Sequence, residues 1–184
     1  EEYRTAMIET AVEQDDDTMM AYLEEGVEPD HATLVKCIHR GTVNGTFTPI
    51  LCGSAFKNKG VQPLLDAIVD YMPSPTEVEA IACVDEQGEI VGERKADDNE
   101  PFAALAFKVI NDQFGTLTFV RVYSGVAKAG TTVLNTTRGK RERIGRIVEM
   151  HADERIALGE IRAGDIAAFV NLKETTTGDT LSAV

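Results

Sequence analysis

The hydrophobic period of this chain changes once, and the change divides it. Up to Met72 the apolar residues recur at helical spacing; from Pro101 they fall into short β-branched and aromatic runs separated by glycines. Pro73-Ser74-Pro75 closes the helical stretch, because a residue before proline is pushed out of helical geometry and proline lacks an amide donor. Tyr3, Met7, Ile8, Ala11 and Val12 predict an amphipathic helix over residues 2–14. Met19, Met20 and Leu23 extend the pattern to a stop at Gly26. Asp30 is placed to cap a helix carrying Ala32, Val35 and Ile38 that ends near Gly41. The apolar run 47–52 reads as a strand. Residues 61–72 read as a helix, with Pro63 tolerated in the first turn and Leu64, Leu65, Ile68 and Met72 as its buried stripe.

Beyond Pro101, residues 102–110, 117–123, 132–134, 144–150 and 166–172 have strand character. Gly115, Gly125, Gly130, Gly139, Gly159, Gly164 and Gly178 punctuate them. Short strands with regular glycine turns predict an antiparallel barrel. The intervening residues 76–100 mix short apolar pieces with charge runs and read as a connector holding one hairpin. The expected organisation is therefore 1–75, connector 76–100, and barrel 101–184.

Charge follows the same division. The net charge is −13. Residues 1–30 carry −10, residues 31–100 carry −5, and residues 101–184 carry +2. An acidic chain of this kind does not bind nucleic acid through its whole surface, but its last third differs from the rest. Cys37, Cys52 and Cys83 form no Cys-x-x-Cys pair, which suggests reduced thiols and a cytoplasmic setting. No run approaches the roughly 20 apolar residues of a membrane span, and no signal-peptide pattern opens the sequence. The sequence begins without Met and inside a helical pattern, so an internal segment of a longer chain is expected.

One motif carries most of the functional information. Gly53-Ser54-Ala55-Phe56-Lys57-Asn58-Lys59-Gly60 follows the predicted strand and precedes the predicted helix. A strand, a small-residue loop and a helix are how α/β folds bring backbone N–H groups to a ligand. The run 53–62 resembles the last guanine-nucleotide loop of the elongation factor G family of translational GTPases. The barrel half resembles the same family through Pro101-Phe102-Ala103-Ala104-Leu105-Ala106-Phe107-Lys108, Arg121-Val122-Tyr123-Ser124-Gly125, residues 145–152, Arg162-Ala163-Gly164-Asp165 and Thr176-Thr177-Gly178-Asp179-Thr180-Leu181. The resemblance implies an α/β remnant of a P-loop GTPase domain, its C-terminal part, mainly helical with one or few strands. The antiparallel β-barrel of the family's second domain follows it. It implies that Ser54, Ala55 and Phe56, with Lys57 adjacent, help hold guanine, the Ser-Ala amides facing its carbonyl oxygen.

The hydrolytic parts are not in this sequence. There is no Gly-x-x-x-x-Gly-Lys-[Ser/Thr] to cradle phosphates. Asp85-Glu86-Gln87-Gly88 matches Asp-x-x-Gly but lies after the nucleotide loop, the wrong order for a switch, and reads as a turn. Asn58-Lys59-Gly60-Val61 lacks the Asp of a base reader. His31, His39 and His151 have no nucleophile pattern beside them. By resemblance, the complete factor binds GTP or GDP with Mg and hydrolyses GTP to move tRNA and mRNA. This segment alone is expected to hold no nucleotide and to lack catalysis.

Two charged constellations remain. Arg138-Gly139-Lys140-Arg141-Glu142-Arg143-Ile144-Gly145-Arg146 holds five bases and one acid, and on a strand Arg141 and Arg143 share one face, opposite Glu142 and Ile144. It reads equally as a solvated strand face with cross-strand ion pairs and as a phosphate contact. The resemblance implies contact with small-subunit ribosomal RNA by the barrel, with Lys140, Arg141, Arg143 and the less specific Arg121 as candidates. Glu9, Glu13 and Asp16 fall at i, i+4 and i+7, the spacing of a solvated helix face. The resemblance adds a second reading, contact with the basic ribosomal stalk protein. A paralogous recycling or ribosomal-protection GTPase, and a non-enzymatic adaptor, are the alternative readings of the whole.

Overall fold

The computed structural model describes residues 1–85, 87–112, 115–152 and 154–184. It comprises two compact units, Glu1–Glu77 and Val78–Val184. In the first, α1 (Glu2–Val12), α2 (Asp16–Glu25), α3 (His31–Val43) and α4 (Val61–Tyr71) follow one another. Asp15 and Asp30 start α2 and α3, their side chains accepting from the Thr18 and Thr33 amides. Gly26 ends α2 in the left-handed region at φ 68°, which costs glycine no Cβ clash. Ile8, Ala11, Val12, Leu34, Cys37 and Ile38 form the core, with Met19, Tyr22, Phe47 and Tyr71 against it. Gly41 leaves room for Phe47, since a Cβ there would lie 2.3 Å from the ring.

Three expectations for this unit are corrected. Tyr3 and Met7 do not belong to the buried stripe of α1; they are exposed, and Ile8, Ala11 and Val12 are buried. Residues 47–52 form no strand. They have no ladder partner, and Ile50 is 90% exposed. A strand is defined by its neighbour, and no parallel neighbour lies in this unit. For the same reason the stripe Leu64, Leu65, Ile68 and Met72 of α4 is exposed, and Ala67 is the buried residue of that helix.

The end of the unit is fastened by a histidine. His39 on α3 places Nδ1 3.0 Å from the Asp70 carbonyl and Nε2 2.8 Å from Glu77 Oε1. The Ser74 amide donates to the other Glu77 oxygen at 2.7 Å. The Ser74 amide and His39 together hold the Glu77 carboxyl at about 2, below its ordinary 4.5. A depressed carboxyl contributes stability above its unfolded pKa, and that contribution is lost as pH falls toward 2. His39→Ala is expected to let the Glu77 titration move up toward 4.5, read from the side-chain 13C shift. An unmoved titration would leave Ser74 as the sole cause.

The second unit begins with a hairpin of β1 (Ile81–Val84) and β2 (Ile90–Arg94). Glu86 lies outside the described residues, but the expected turn is visible around it. Asp85 Oδ1 accepts from the Gln87 and Glu89 amides, and the Gly88 amide donates to the Asp85 carbonyl. Then come β3 (Ala103–Asp112), β4 (Gly115–Ser124), β5 (Val126–Lys128), β6 (Thr132–Asn135), β7 (Lys140–Arg143), β8 (Arg146–His151), β9 (Glu154–Leu158), β10 (Glu160–Arg162), β11 (Ile166–Val170) and β12 (Thr180–Ser182). Eight of them pair antiparallel in the order β7-β6-β12-β3-β4-β11-β8-β9, and β5 pairs with β10. Val133 of β6, Ile147 of β8, Ala127 of β5 and Ile161 of β10 all lie in one buried cluster with Phe169 and Val120. Strands far apart in the sheet order share that core, so the sheet curls round it as a barrel does.

Candidate functional site

The Ser-Ala-Phe loop is a closed clasp. The Ser54 amide donates to the Lys59 carbonyl at 2.9 Å and the Lys59 amide returns to the Ser54 carbonyl at 3.0 Å. Ala55–Lys57 makes one 3₁₀ turn, ended by Asn58 at φ 50°. Gly60 sits at φ +75°, and a Cβ there would lie 3.0 Å from the Cys52 carbonyl oxygen; a Cβ on Gly53 would lie 3.0 Å from the Lys59 oxygen. Glycines at both ends let the two backbones pass this closely. The first residues of a helical turn have no internal acceptor for their amides. The Ser54 amide is spent within the loop, whereas the Ala55 and Phe56 amides donate no backbone hydrogen bond among the described residues. The Phe56 ring is fully exposed, and Lys57 is exposed beside it.

The basic run divides by partner. Arg138 Nε donates to Asp179 Oδ2 at 2.8 Å and Lys140 Nζ to Glu174 Oε2 at 2.5 Å. Arg143 Nε donates to the Gly130 carbonyl at 3.0 Å. Lys140, Arg141 and Arg143 are all exposed on β7, an edge strand, while Glu142 between them points inward and is buried. Glu142 accepts from the Lys173 and Glu174 amides at 2.7 and 2.9 Å and from the Thr175 hydroxyl. Arg141 has no ion-pair partner among the described residues. Arg121, on β4, stands 5.2 Å from the Tyr123 ring centroid, a cation–π contact.

Glu9, Glu13 and Asp16 are all exposed. They do not share one helix. α1 ends at Val12, Glu13 is its cap, and Asp16 is the first residue of α2. Asp15 breaks the row by taking both the amide and the hydroxyl of Thr18. Arg40 fixes the break, donating to the Gln14 carbonyl at 2.6 Å and to Asp15 at 3.0 Å.

The sequence alone did not single out the buried polar network of the barrel. Asn135, 0% exposed, donates to Asp179 Oδ2 at 2.8 Å and to the Thr175 hydroxyl at 3.2 Å. The Thr176 amide donates to the same Asp179 oxygen at 2.9 Å. The signal lay in Thr176-Thr177-Gly178-Asp179: a carboxylate three residues after a threonine, across a glycine turn, is placed to cap it. Among the described residues no cluster of three or more His, Cys, Asp or Glu side chains is arranged to hold a metal ion.

Residues 115–182 match the family model of elongation factor Tu domain 2. The chain is 57% identical over 185 positions to elongation factor G of Granulibacter bethesdensis and 53% identical over 186 positions to that of Gluconobacter oxydans. Each comparison covers 98% of this chain, but 27% and 26% of the relatives, so the chain spans about a quarter of their length. In structure it matches, over 100% of its length, 25% of a chain in a crystal structure from Thermus thermophilus, with a TM-score of 0.73 at 25% identity.

Proposed function

Because the chain belongs to the elongation factor G family over nearly its whole length, we propose that it is part of a ribosomal GTPase that couples GTP hydrolysis to movement of tRNA and mRNA. Residues 1–75 belong to the end of its nucleotide domain, residues 76–100 connect, and residues 101–184 are its second domain. GTP or GDP with Mg binds the complete factor in the cytoplasm. This chain supplies the guanine end of the site, and the phosphate and metal ligands come from elsewhere in the complete factor. The observation that carries the reading is the loop: the Ala55 and Phe56 amides have no backbone acceptor among the described residues, on a turn closed by Ser54 and Lys59. Such donors suit the carbonyl oxygen of guanine. Lys57, exposed and adjacent in the loop, completes the set.

The barrel contacts small-subunit ribosomal RNA through Lys140, Arg141, Arg143 and Arg121. Arg141, without an ion pair among the described residues, is the strongest of these. Glu9, Glu13 and Asp16 offer acidic groups to the basic stalk protein from two helices rather than one.

The test removes one donor. Proline is tolerated at the first position of a helical turn, and Ser54 before it is already extended at φ −137°. Ala55→Pro in the complete factor is expected to weaken GDP binding about tenfold, the worth of one hydrogen bond to a buried ligand, measured with a fluorescent GDP. Unchanged affinity would remove Ala55 from the site.

A further inference from the structure

We propose that the trench between the β1–β2 hairpin and the start of β3 binds a free carboxylate with an acyl chain, the chain lying along the trench and the carboxylate on Arg94. The cavity is about 570 Å³, within the range of small-molecule sites. All four residues of β1, Ile81 to Val84, line one wall, and the consecutive residues Pro101 to Leu105 line the other. Four residues at ~3.3 Å each give a trench about 13 Å long, the form of an extended chain rather than of a compact ring. Ala82 on one wall and Ala103 on the other, with its register partner Ser182, are small and leave the space. The two walls belong to different sheets: β1 and β2 pair with each other, while β3 is part of the eight-stranded sheet. A two-stranded hairpin alone is marginal in water. Ile81 and Val84 remain 41% and 59% exposed, and an acyl chain in the trench takes apolar surface of both sheets out of water.

The charges select the head group. Among the described residues that line the trench, Arg94 is the only charged one. It is the register partner of Ile81, the first residue of β1, and so stands at one end. Its Nη1 donates to the Glu93 carbonyl at 3.2 Å and lies 3.9 Å from Glu100 Oε2, beyond hydrogen-bond distance. A guanidinium carries five N–H donors in a planar fork that matches a carboxylate, and the others on Arg94 donate to nothing among the described residues. A free acid suits the site better than a lipid in a bilayer, because a net charge of −13 is repelled by an anionic membrane surface. Every lining residue belongs to the second unit, so the site stands whether or not the Ser-Ala-Phe loop holds guanine.

The test is a 15N amide titration of the whole chain with sodium decanoate. Shifts are expected at residues 81–84, 103–105 and 182–183. Octanoate is expected to bind about fifteenfold more weakly, the loss of two buried methylenes. Arg94→Gln is expected to raise the decanoate Kd at least about tenfold, the worth of a hydrogen bond to a charged group, and to leave the Kd of decanol unchanged. No shifts at millimolar decanoate would overturn the inference, as would shifts confined to residues 47–72, which would put the chain on the exposed apolar face of α4. Equal Kd values for octanoate and decanoate, or an unchanged decanoate Kd in Arg94→Gln, would overturn it too. So would shifts at the proposed residues with phosphatidylglycerol vesicles but not with decanoate, which would give the trench to a membrane surface.

Discussion

Phe169→Ala is expected to lower the unfolding free energy of the barrel unit by about 3–5 kcal/mol, the range for truncating a buried phenylalanine. Phe169 is 0% exposed and is the largest of the fully buried side chains among the described residues. It sits on β11 between its register partners Thr118 on β4 and Ile147 on β8. Its neighbours are held by ladders on both sides, so they cannot move in to fill the space, and the cost falls toward the upper end. Domains of this size hold about 5–15 kcal/mol in total, so the variant keeps a barrel with little margin. Urea unfolding followed by barrel amide resonances reports this unit alone, which matters because two compact units need not unfold together. A midpoint that falls with unchanged slope would confirm a cavity. A loss below about 1 kcal/mol would show that the core collapses onto the site, and that the curled sheet is less rigid than its pairing implies.

The barrel's strands were legible because each local signal agreed with the fold. Glycines at Gly125, Gly130, Gly164 and Gly178 adopt positive φ between strands, and the apolar runs have the β-branched and aromatic content of strands. The short strands β5, β7, β10 and β12 were not legible. Three or four residues carry too little alternation, and Lys140–Arg143 shows charge before it shows a strand. In the helical unit the spacing of the apolar residues predicted the helices but not their buried faces. Leu64, Leu65 and Ile68 have the spacing of a buried stripe and remain 48%, 57% and 49% exposed, because an amphipathic helix states which face it buries and not what buries it. The acidic row failed for a local reason. Asp15 can be read as one more helical acid or as a cap, and its bond to Thr18 decides for the cap. The Ser-Ala-Phe loop was legible because glycines and small residues specify backbone geometry directly. Which of its amides is occupied was not, since that depends on the Ser54 amide donating to the Lys59 carbonyl.

The basic run shows how the same residues serve two ends, and Asp179 is where they can be separated. Asp179→Ala is expected to cost the barrel about 2–4 kcal/mol, because it strips an acceptor from several donors at once. Arg138 keeps 42% of its side chain exposed and recovers water; Asn135, fully buried, cannot. The same carboxylate predicts acid behaviour. Burial pushes it up, but Asn135, the Thr176 amide and Arg138 outweigh burial and bring it to about 2 from an ordinary 3.8. A depressed carboxyl stabilises the fold above its unfolded pKa, and its contribution is lost as pH falls through its folded value. That contribution is about 2 kcal/mol, fully present above about pH 5 and gone near pH 2. The stability difference between wild type and Asp179→Ala, measured by urea at a series of pH values, should therefore shrink steadily below about pH 4. A difference that persists to about pH 2 would assign the loss to packing instead. Arg138 is then a structural cation committed to the buried Asp179, whereas the Lys140–Glu174 pair lies on the surface. Arg141 makes no ion pair among the described residues, and Arg141→Gln should leave stability within about 0.5 kcal/mol of wild type. A larger loss would show that Arg141, too, serves the fold.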